Sequence, residues 1–511
     1  MSENERTQQQ TRGSIRRHIE DFCEESSLVG VKYVVAKGRP LFERVWWMLV
    51  ILCSFLLSFY LIQELWVKWN PVIVSFAQKP TSVWEIPFPA VTICSKNKVK
   101  QSVFNFTKYV YKNSQGELAE DEIERLSVVG LLCGIHNEVV SQVDKSRIDL
   151  LEEVTDHFLV NCEWQSNGIF TLCTDFLNFT RIMTDDGYCF TSNSLSHSDI
   201  YHKDGLNSKY LKLLPNASEW DLENGYKDNY AFKDYHPRRA IGPGLEFSLI
   251  INMVQGESDF DQMCSGDSRG FKVTLHNPAE IATVSRQFYN VPINKEVFLA
   301  VKPNMMTTSS NLRSYSPERR QCYFAHEREL AFFKVYTKKN CELECLTNHT
   351  LKECGCVAFY MPSAKDTPIC GPKKYYCLQR SYRKMITESL ATMNKEVGVD
   401  SSCNCLQSCT SLEYDAETSQ GPIDVRKWRK AGYSYSRLFI NFKEAQFIAT
   451  HRSALYGLSD FLGICGGLLG LTNGFCILSL VELIYYLTLR LYRNFQKKKK
   501  PNDTEMENVG E

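Results

Sequence analysis

The residues most able to do chemistry lie in one apolar segment near the carboxyl end, residues 461–481. Within it, residues 471–476 place a glycine beside Thr472 and Asn473, and Glu482 follows the segment directly. A glycine between polar residues permits a helix to unwind locally, which bares backbone carbonyls that only protein or a water-filled cavity can satisfy. Such carbonyls replace the hydration shell of cations in channels. We therefore expect a cation-binding constriction at residues 471–476.

Glycines dominate the rest of this segment. Gly466, Gly470 and Gly474 recur at intervals of four and share one helical face, while Gly463 and Gly467 form an adjacent stripe. Close approach of another helix explains the upper glycines. It does not explain the polar residues beside Gly474.

Glu482 is the ionisable group at the inner boundary of the segment. A carboxylate at membrane depth costs about 2.5 to 3.5 kcal/mol on insertion scales, so it faces water or protein, or it snorkels to the surface. Both alternatives stay open on physical grounds. In an unbroken helix, the eight residues from Gly474 to Glu482 correspond to about 12 Å. We expect a second cation site, distinct from the constriction.

Two segments are long enough to position these residues in a bilayer. The first runs from Val45 to Ile62, with Trp46, Trp47, Trp66 and Trp69 at its ends, where amphipathic rings favour the headgroup region. The second is the glycine-rich segment itself. The first lacks the short core and the cleavage site of a signal peptide. The fold class we expect is a membrane protein with two transmembrane α-helices and a large disulfide-rich α+β ectodomain.

Basic residues set the orientation of both segments. They are denser before the first and after the second, where Lys497 to Lys500 lie, so both termini are expected in the cytoplasm at the plasma membrane. The predicted parts are a cytoplasmic tail (1–42), a first transmembrane helix (43–65), an extracellular domain (66–453), a second transmembrane helix (454–485) and a cytoplasmic tail (486–511).

Cysteines and sequons agree with this topology. Sixteen of the twenty cysteines lie between Cys94 and Cys409, an even number that permits complete pairing in an oxidising compartment. Glycosylation sequons stand at Asn105, Asn178, Asn216 and Asn348, all between the two segments. We expect all four to be glycosylated.

The ectodomain is expected to mix strands and helices. Residues 271–276, 297–301 and 245–253 are typical of strands, and 117–140 of a helix. We expect the sheet nearest the membrane and the helices outside it.

Other chemistries are poorly supported. The spacing of Cys341, Cys345, Cys354 and Cys356 differs from paired zinc knuckles and favours disulfides. His326-Glu327-Arg328-Glu329 lacks the second histidine of a metalloprotease helix, and residues 242–244 lack a dinucleotide fingerprint. A balanced 59 basic and 59 acidic residues disfavours nucleic-acid binding. We expect no enzyme, no cofactor and no bound metal.

Motifs along the chain resemble the degenerin/epithelial sodium channel family, and most closely its insect pickpocket branch. They include Gly187-Tyr-Cys-Phe-Thr191, Gly466-Gly467 and Leu478-Ser-Leu-Val-Glu482. The further matching stretches are residues 88–94, 270–276, 312–317 with Arg320 and Cys322, Asn340-Cys341 with Glu344-Cys345, 354–356, and 403–406 with Cys409. They follow one another in order over nearly the whole chain.

This resemblance implies a homotrimer or heterotrimer of related subunits that carries an amiloride-sensitive sodium current, with a hand-like ectodomain of palm, finger and thumb that transmits the gating stimulus. It places the selectivity filter at Gly474, Phe475 and Cys476. It also assigns Gly30 to a gating motif, and it assigns to the ion path Asp460, Gly470, Asn473 and Glu482. Cys476 replaces the serine of the family filter, and Val29 replaces the histidine before Gly30.

The resemblance also selects a nested set of disulfides. In the thumb it pairs Cys322 with Cys409, Cys341 with Cys405, Cys345 with Cys403, Cys354 with Cys377 and Cys356 with Cys370. It likewise pairs Cys94 with Cys189 and Cys162 with Cys173, and this scheme leaves Cys133 and Cys264 for each other.

Two other classes share two membrane segments and a cysteine-rich ectodomain. An ATP-gated trimeric cation channel is one alternative, and a scavenger-type receptor is the other. The latter needs no combination of Gly474, Asn473 and Glu482 in a membrane helix. The gating stimulus, the choice between homomer and heteromer, and the degree of sodium selectivity are left open by the sequence.

Overall fold

A computed structural model of the chain describes residues 22–23, 26, 30–36, 38–69, 74–134, 140–173, 177–202, 211–217, 219–227, 235–393, 403–454, 457–490 and 492–493. These residues belong to two compact units. The helical unit is drawn from both ends of the chain, up to Ser75 and from Ala454 onward. The central unit is Phe76–Ser453.

Thirteen α-helices are named here in chain order among the described residues. They are α1 Val31–Val35, α2 Leu41–Trp69, α3 Phe106–Gln115, α4 Glu120–Cys133, α5 Asp149–Val154, α6 His197–Ile200, α7 Gln262–Ser265, α8 Pro317–Arg320, α9 Lys338–Cys354, α10 Tyr375–Met393, α11 Arg426–Lys430, α12 Leu458–Asn473 and α13 Ile477–Tyr485. Short 3-10 turns cover Val83–Glu85, Lys145–Ile148, Leu245–Phe247, Ser310–Ser314 and Pro372–Lys374, and a π turn covers Tyr486–Arg490.

Within its described residues, the helical unit contains one helix that is long and apolar enough to cross a membrane by itself. It is α2, whose Leu41–Lys68 portion has 28 residues and a length of about 42 Å, more than a hydrocarbon core requires. Helix α12 and the segment Ile477–Arg490 pass the same test only as a pair, bent by 73° across a short break. The apolar core predicted at 45–62 therefore lies inside a longer helix, and the second predicted segment is two helices.

Strands build the central unit. They are β1 Val74–Ser82, β2 Ala90–Ser95, β3 Gln142–Val143, β4 Leu159–Ser166, β5 Ile169–Leu172, β6 Thr180–Thr184, β7 Gly187–Ser192, β8 Trp220–Asp221, β9 Gly225–Tyr226, β10 Ser248–Gly256, β11 Phe271–His276, β12 Tyr289–Val291, β13 Lys295–Thr308, β14 Cys322–Tyr323, β15 Ile369–Cys370, β16 Gln407–Ser408, β17 Ser411–Pro422, β18 Tyr433–Phe442 and β19 Gln446–Ala454.

Two sheets hold most of these strands. The larger has the order β1-β19-β13-β18-β10-β4-β5, with β17 also paired to β13. Strand β18 runs antiparallel to β10 and parallel to β13. The smaller sheet has the order β12-β11-β2-β7-β6. Because chain neighbours are seldom sheet neighbours here, distant parts of the sequence must meet before the large sheet can form.

A continuous apolar core packs between the two sheets. Phe88 lies at its centre, with its ring 4.9 Å from Trp164 and 5.5 Å from Phe442 in edge-to-face contacts. Phe271 of the smaller sheet and Leu299 of the larger sheet are fully buried in the same core. Alternate residues of these strands point inward, so their period-2 pattern places the apolar set in the core.

Eight disulfides cross-link the central unit. They join Cys94–Cys189, Cys133–Cys264, Cys162–Cys173, Cys322–Cys409, Cys341–Cys405, Cys345–Cys403, Cys354–Cys377 and Cys356–Cys370, the pairs that the family resemblance implies. Three of them involve these helices: Cys354–Cys377 joins α9 to α10, and Cys341–Cys405 and Cys345–Cys403 tie α9 to the segment before β16. Each bridge contributes roughly 2 to 4 kcal/mol, mainly by restricting the unfolded chain.

Several predicted elements need correction. The helix predicted over 117–140 is Glu120–Cys133 and ends at Gly134, which adopts a left-handed conformation with φ 65°. Residues 135–139 lie outside the described residues. The strand predicted over 245–253 begins only at Ser248, because Leu245–Phe247 form a 3-10 turn after Gly244. Strands β11 and β13 contain the segments predicted at 271–276 and 297–301.

Candidate functional site

The second apolar segment breaks at the residues for which sequence reasoning predicted unwinding. Helix α12 ends at Asn473, and Gly474 follows in the left-handed region at φ 65°. Phe475 and Cys476 belong to no helix, and α13 begins at Ile477. Only glycine adopts this backbone conformation without strain, so Gly474 permits both the break and the bend that follows.

Replacement hydrogen bonds stabilise the break on both sides. The Gly474 amide donates to the Gly470 carbonyl at 3.0 Å, and the Phe475 amide donates to the Leu469 carbonyl at 3.3 Å. The Cys476 amide donates instead to Oγ of Ser479 at 3.2 Å, which begins α13. In an unbroken helix that amide would donate to the Thr472 carbonyl. The break therefore deprives Thr472 of its intrahelical donor.

The first membrane helix supplies the missing donor. Oγ of Ser54, on α2, donates to the Thr472 carbonyl at 2.6 Å. One turn further along α2, Oγ of Ser58 lies 2.6 Å from Oγ1 of Thr472 and receives a hydrogen bond from Nδ2 of Asn473 at 2.8 Å. We call these four residues, Ser54, Ser58, Thr472 and Asn473, the hydroxyl–amide cluster.

The cluster is internally consistent in its donors and acceptors. Nδ2 of Asn473 has two protons, which reach Oγ of Ser58 and, at 3.0 Å, Oγ1 of Thr472. Each hydroxyl has one proton, so either Ser58 or Thr472 donates across their 2.6 Å contact. The other hydroxyl donates to a carbonyl, which is that of Ser54 at 2.8 Å for Ser58 or that of Leu468 at 2.7 Å for Thr472. A satisfied network of this kind is tolerated among apolar helices.

Asn473 joins α12 to α2 within the single chain. Its side chain is almost completely buried between these two helices. Sequence reasoning predicts this amide on the ion path, and that role stays a prediction.

The other predicted path residues stand apart from the cluster. Asp460 lies in the first turn of α12, where its carboxylate accepts a hydrogen bond from the Gly457 amide at 2.8 Å. Gly470 is exposed one turn before the break, and Glu482 is half-buried within α13. The estimate of 12 Å between Gly474 and Glu482 assumed an unbroken helix, and the 73° bend removes that assumption.

The glycine stripe of α12 is not covered by α2. A methyl group added to Gly463, Gly466 or Gly467 would meet nothing within 4 Å among the described atoms. These glycines therefore do not serve close packing against the first helix. Their backbone lies open on the surface of the chain.

Gly30 lies against the first membrane helix. It adopts a left-handed conformation with φ 95° before α1, and a methyl group there would lie 3.3 Å from the Ile51 side chain. Tyr33 of α1 stacks on Trp47 of α2 with ring centroids 4.7 Å apart. The close approach and the positive φ both require glycine. Val29, the position of the missing family histidine, lies outside the described residues.

The four predicted glycosylation sites lie in the central unit. Asn178 and Asn348 are exposed, whereas Asn105 is half-buried and caps α3 by accepting a hydrogen bond from the Lys108 amide at 2.9 Å. Oδ1 of Asn216 accepts hydrogen bonds from Ser196 and Ser198, both at 2.8 Å. Their glycosylation stays a prediction.

Sequence reasoning missed Ser54 and Ser58 as members of the site. They are the only polar residues of the apolar run 45–62, and their spacing of four puts them on one helical face. That spacing is the signal that could have found them. Their partners are more than 400 residues away in sequence.

Comparison with known proteins decides the family. A family model described as amiloride-sensitive sodium channel matches residues 22–486, which include both apolar segments and the whole central unit. The chain belongs to the amiloride-sensitive sodium channel family. This confirms the resemblance drawn from its motifs.

Individual relatives agree with this assignment. Pickpocket protein 28 of Drosophila melanogaster is 29% identical over 94% of this chain and 80% of its own length. Sodium channel protein Nach of Drosophila melanogaster is 24% identical over 95% of this chain and 89% of its own. The human bile acid-sensitive ion channel is 23% identical over 92% of this chain and 86% of its own.

Membership of this family has direct consequences. Its members are membrane ion channels and not enzymes, and they include sodium channels. The match over residues 22–486 excludes an ATP-gated channel and a scavenger-type receptor. The large disulfide-bonded, strand-rich central unit and the apolar helix α2 are the parts of the family's channel fold seen here.

Proposed function

We propose that this chain is a subunit of a trimeric, sodium-permeable and amiloride-sensitive cation channel in the plasma membrane, gated through its ectodomain. The observation that carries the proposal is the break of the second apolar helix at Gly474–Cys476. It falls within the family match, and it diverts the Cys476 amide from the Thr472 carbonyl to Ser479. Backbone carbonyls freed in this way are suited to replace the water around a cation.

The proposed topology places both termini in the cytoplasm. The parts are the tails 1–42 and 486–511, the membrane segments 43–65 and 454–485, and an extracellular domain 66–453 that carries the disulfides and the four glycans. Sixteen bonded cysteines in the intervening domain support an oxidising compartment for it. The four cysteines that remain outside bridges, Cys23, Cys53, Cys465 and Cys476, are in the parts assigned to the cytoplasm or bilayer.

In the proposed pore, Gly474, Phe475 and Cys476 of three subunits form the filter. The uncovered glycines of α12 support this arrangement, because they leave backbone free to face an aqueous path or a neighbouring copy. Asp460 lies near the outer mouth, Gly470 lines the path, and three copies of Glu482 form a carboxylate ring on the inner side. Gly30 and α1 couple the cytoplasmic tail to the first helix.

Substitution of Gly474 tests the filter. Gly474→Val puts a β-branched residue at a positive φ and displaces the freed carbonyls, so the sodium-to-potassium permeability ratio of the amiloride-sensitive whole-cell current falls toward one or the current disappears. Gly432→Val is the matched control, because Gly432 also has a positive φ in open space but lies in the central unit. It leaves the permeability ratio unchanged. An unchanged ratio in Gly474→Val contradicts the filter assignment.

A further inference from the structure

The hydroxyl–amide cluster joins α2 to α12 and includes none of the three residues assigned to the filter. The side chains of Thr472 and Asn473 are turned toward α2. Ser58 and Asn473 are nearly inaccessible in the single chain. Two residues of the cluster, Thr472 and Asn473, directly precede the proposed filter in sequence.

Ser54 performs a task that the broken helix cannot perform for itself. The Thr472 carbonyl has lost the Cys476 amide, which donates to Ser479 instead. A carbonyl without a donor at membrane depth is costly, and the opposing serine hydroxyl removes that cost. Closing the break would return the Cys476 amide to Thr472. The serine bond therefore favours the broken over the continuous helix.

Ser58 fixes the same helix end in a second direction. Its hydroxyl contacts the side chains of both Thr472 and Asn473, the last two residues before Gly474. Together with Ser54, it holds the end of α12 at two successive turns of α2. These hydrogen bonds therefore fix the position of the Gly474 backbone relative to α2.

We propose that Ser54 and Ser58 are positioning residues for the filter, so that the first membrane helix sets where the filter backbone lies. This inference rests on the proposed function of Gly474–Cys476. It assigns a role in ion selectivity to two residues of a helix that contributes no atom to the filter itself. Thr472 and Asn473 are their hydrogen-bond partners on α12.

Thr472→Val is the sharpest single test. Valine keeps the side-chain shape and removes the hydroxyl that contacts both Ser58 and Asn473. The matched control is Thr488→Val, because the Thr488 hydroxyl also donates to the carbonyl four residues earlier, at 2.6 Å, but lies exposed beyond α13. We expect Thr472→Val to lower the sodium-to-potassium permeability ratio by about threefold, the factor of one average interhelical hydrogen bond, and Thr488→Val to leave it unchanged.

A double-mutant cycle tests the contact itself. Ser58→Ala and Asn473→Ala are each expected to lower the ratio, and the double variant is expected to lower it no further than the larger single effect. Additive effects in the cycle, or a Thr472→Val ratio equal to that of Thr488→Val, overturn the inference. A purely structural contact would change the melting temperature of the detergent-solubilised channel but not the ratio, which also overturns it.

The two proposals fail separately. An unchanged permeability ratio in Gly474→Val removes the filter, and the positioning role falls with it. If Gly474→Val destroys selectivity while the cluster variants retain it, the filter stands and only the role of the first helix is lost. Ser54→Ala gives an independent measurement, since it removes the Thr472 carbonyl's donor without touching α12.

Discussion

The helical unit and the central unit differ in where they place their large apolar side chains. The central unit encloses Phe88, Phe271 and other apolar side chains completely. The helical unit exposes 87% of Leu471 and 80% of Ile477, yet only 1% of Ser58 and 5% of Asn473. In water, burial of apolar side chains is favourable. In lipid, apolar side chains gain nothing from burial, whereas polar side chains gain hydrogen bonds when they face another helix.

This difference indicates which interactions stabilise each unit and which fix the geometry of its helices. In the central unit, cross-links and buried apolar area oppose unfolding into water. In the helical unit, hydrogen bonds between helices contribute little free energy, about 0.6 kcal/mol each on average, because the separated helices find other partners. They determine geometry more than stability. Buried polar groups are therefore expected to matter for folding in one unit and for conduction in the other.

The largest effect on stability is expected from Arg320 in the central unit. Its side chain is fully buried, pairs with Glu327, and donates to the carbonyls of Leu312, Tyr315 and Cys322. Arg320→Met leaves the partly buried Glu327 carboxylate without its cation and three carbonyls without this donor, at a cost of about 3 to 5 kcal/mol. Surface biotinylation should detect little mature protein.

Arg426→Met is the control for that measurement. Arg426 pairs with Asp424 on the surface, where both side chains are exposed. Surface pairs contribute little because solvent screens them, so surface expression should not change. Normal surface expression of Arg320→Met would mean that buried polar networks do not stabilise the central unit, and the contrast with the helical unit would disappear.

A second, intermediate effect is expected from pH. Burial lowers the pKa of His276 to about 4, and the ring lies among Thr92, the Asn277 carbonyl and the nearby charge of Lys339. Between pH 6.5 and 4 the unfolded chain binds the proton and the folded chain does not, so stability falls as the pH falls through that window. The loss reaches about 2 kcal/mol at pH 5.

Melting temperatures of the solubilised channel at pH 7 and pH 5 measure this loss. Burial also lowers the pKa of His236 and His157, so they contribute in the same direction. His276→Gln should reduce the difference between the two temperatures, whereas the exposed His326→Gln should not. An undiminished difference in His276→Gln would show that acid destabilises the protein elsewhere.

The smallest effect is expected from Tyr414. Its hydroxyl donates to the Pro87 carbonyl at 2.7 Å inside the core that joins the two sheets. Tyr414→Phe removes one neutral hydrogen bond and should lower the free energy of unfolding by about 1 kcal/mol. A melting-temperature comparison with Tyr433→Phe, whose ring is exposed, separates this loss from the general effect of removing a hydroxyl. A loss as large as that expected for Arg320→Met would contradict the expectation that a buried charged group contributes more to stability than a neutral hydroxyl.

Periodicity and composition predicted the type of each helix or strand better than the residues at which it begins and ends. Strand β11 coincides with the predicted segment 271–276, because alternating apolar residues are a local pattern. The helix at 117–140 was predicted too long, although Gly134 offered a local stop signal. The turn at Leu245–Phe247 resembles a strand in composition, and its backbone depends on Gly244 and on neighbouring strands.

The sequence by itself determined that two apolar segments flank a cysteine-rich domain, that Gly474 interrupts the second segment, and which cysteines are available for eight bridges. These properties follow from residue type and spacing along the chain. Only the tertiary structure decided that Asn473 contacts Ser58, across 415 positions. A one-dimensional pattern tells which face of a helix is polar but not which helix meets that face, because helix packing depends on the shapes of both surfaces.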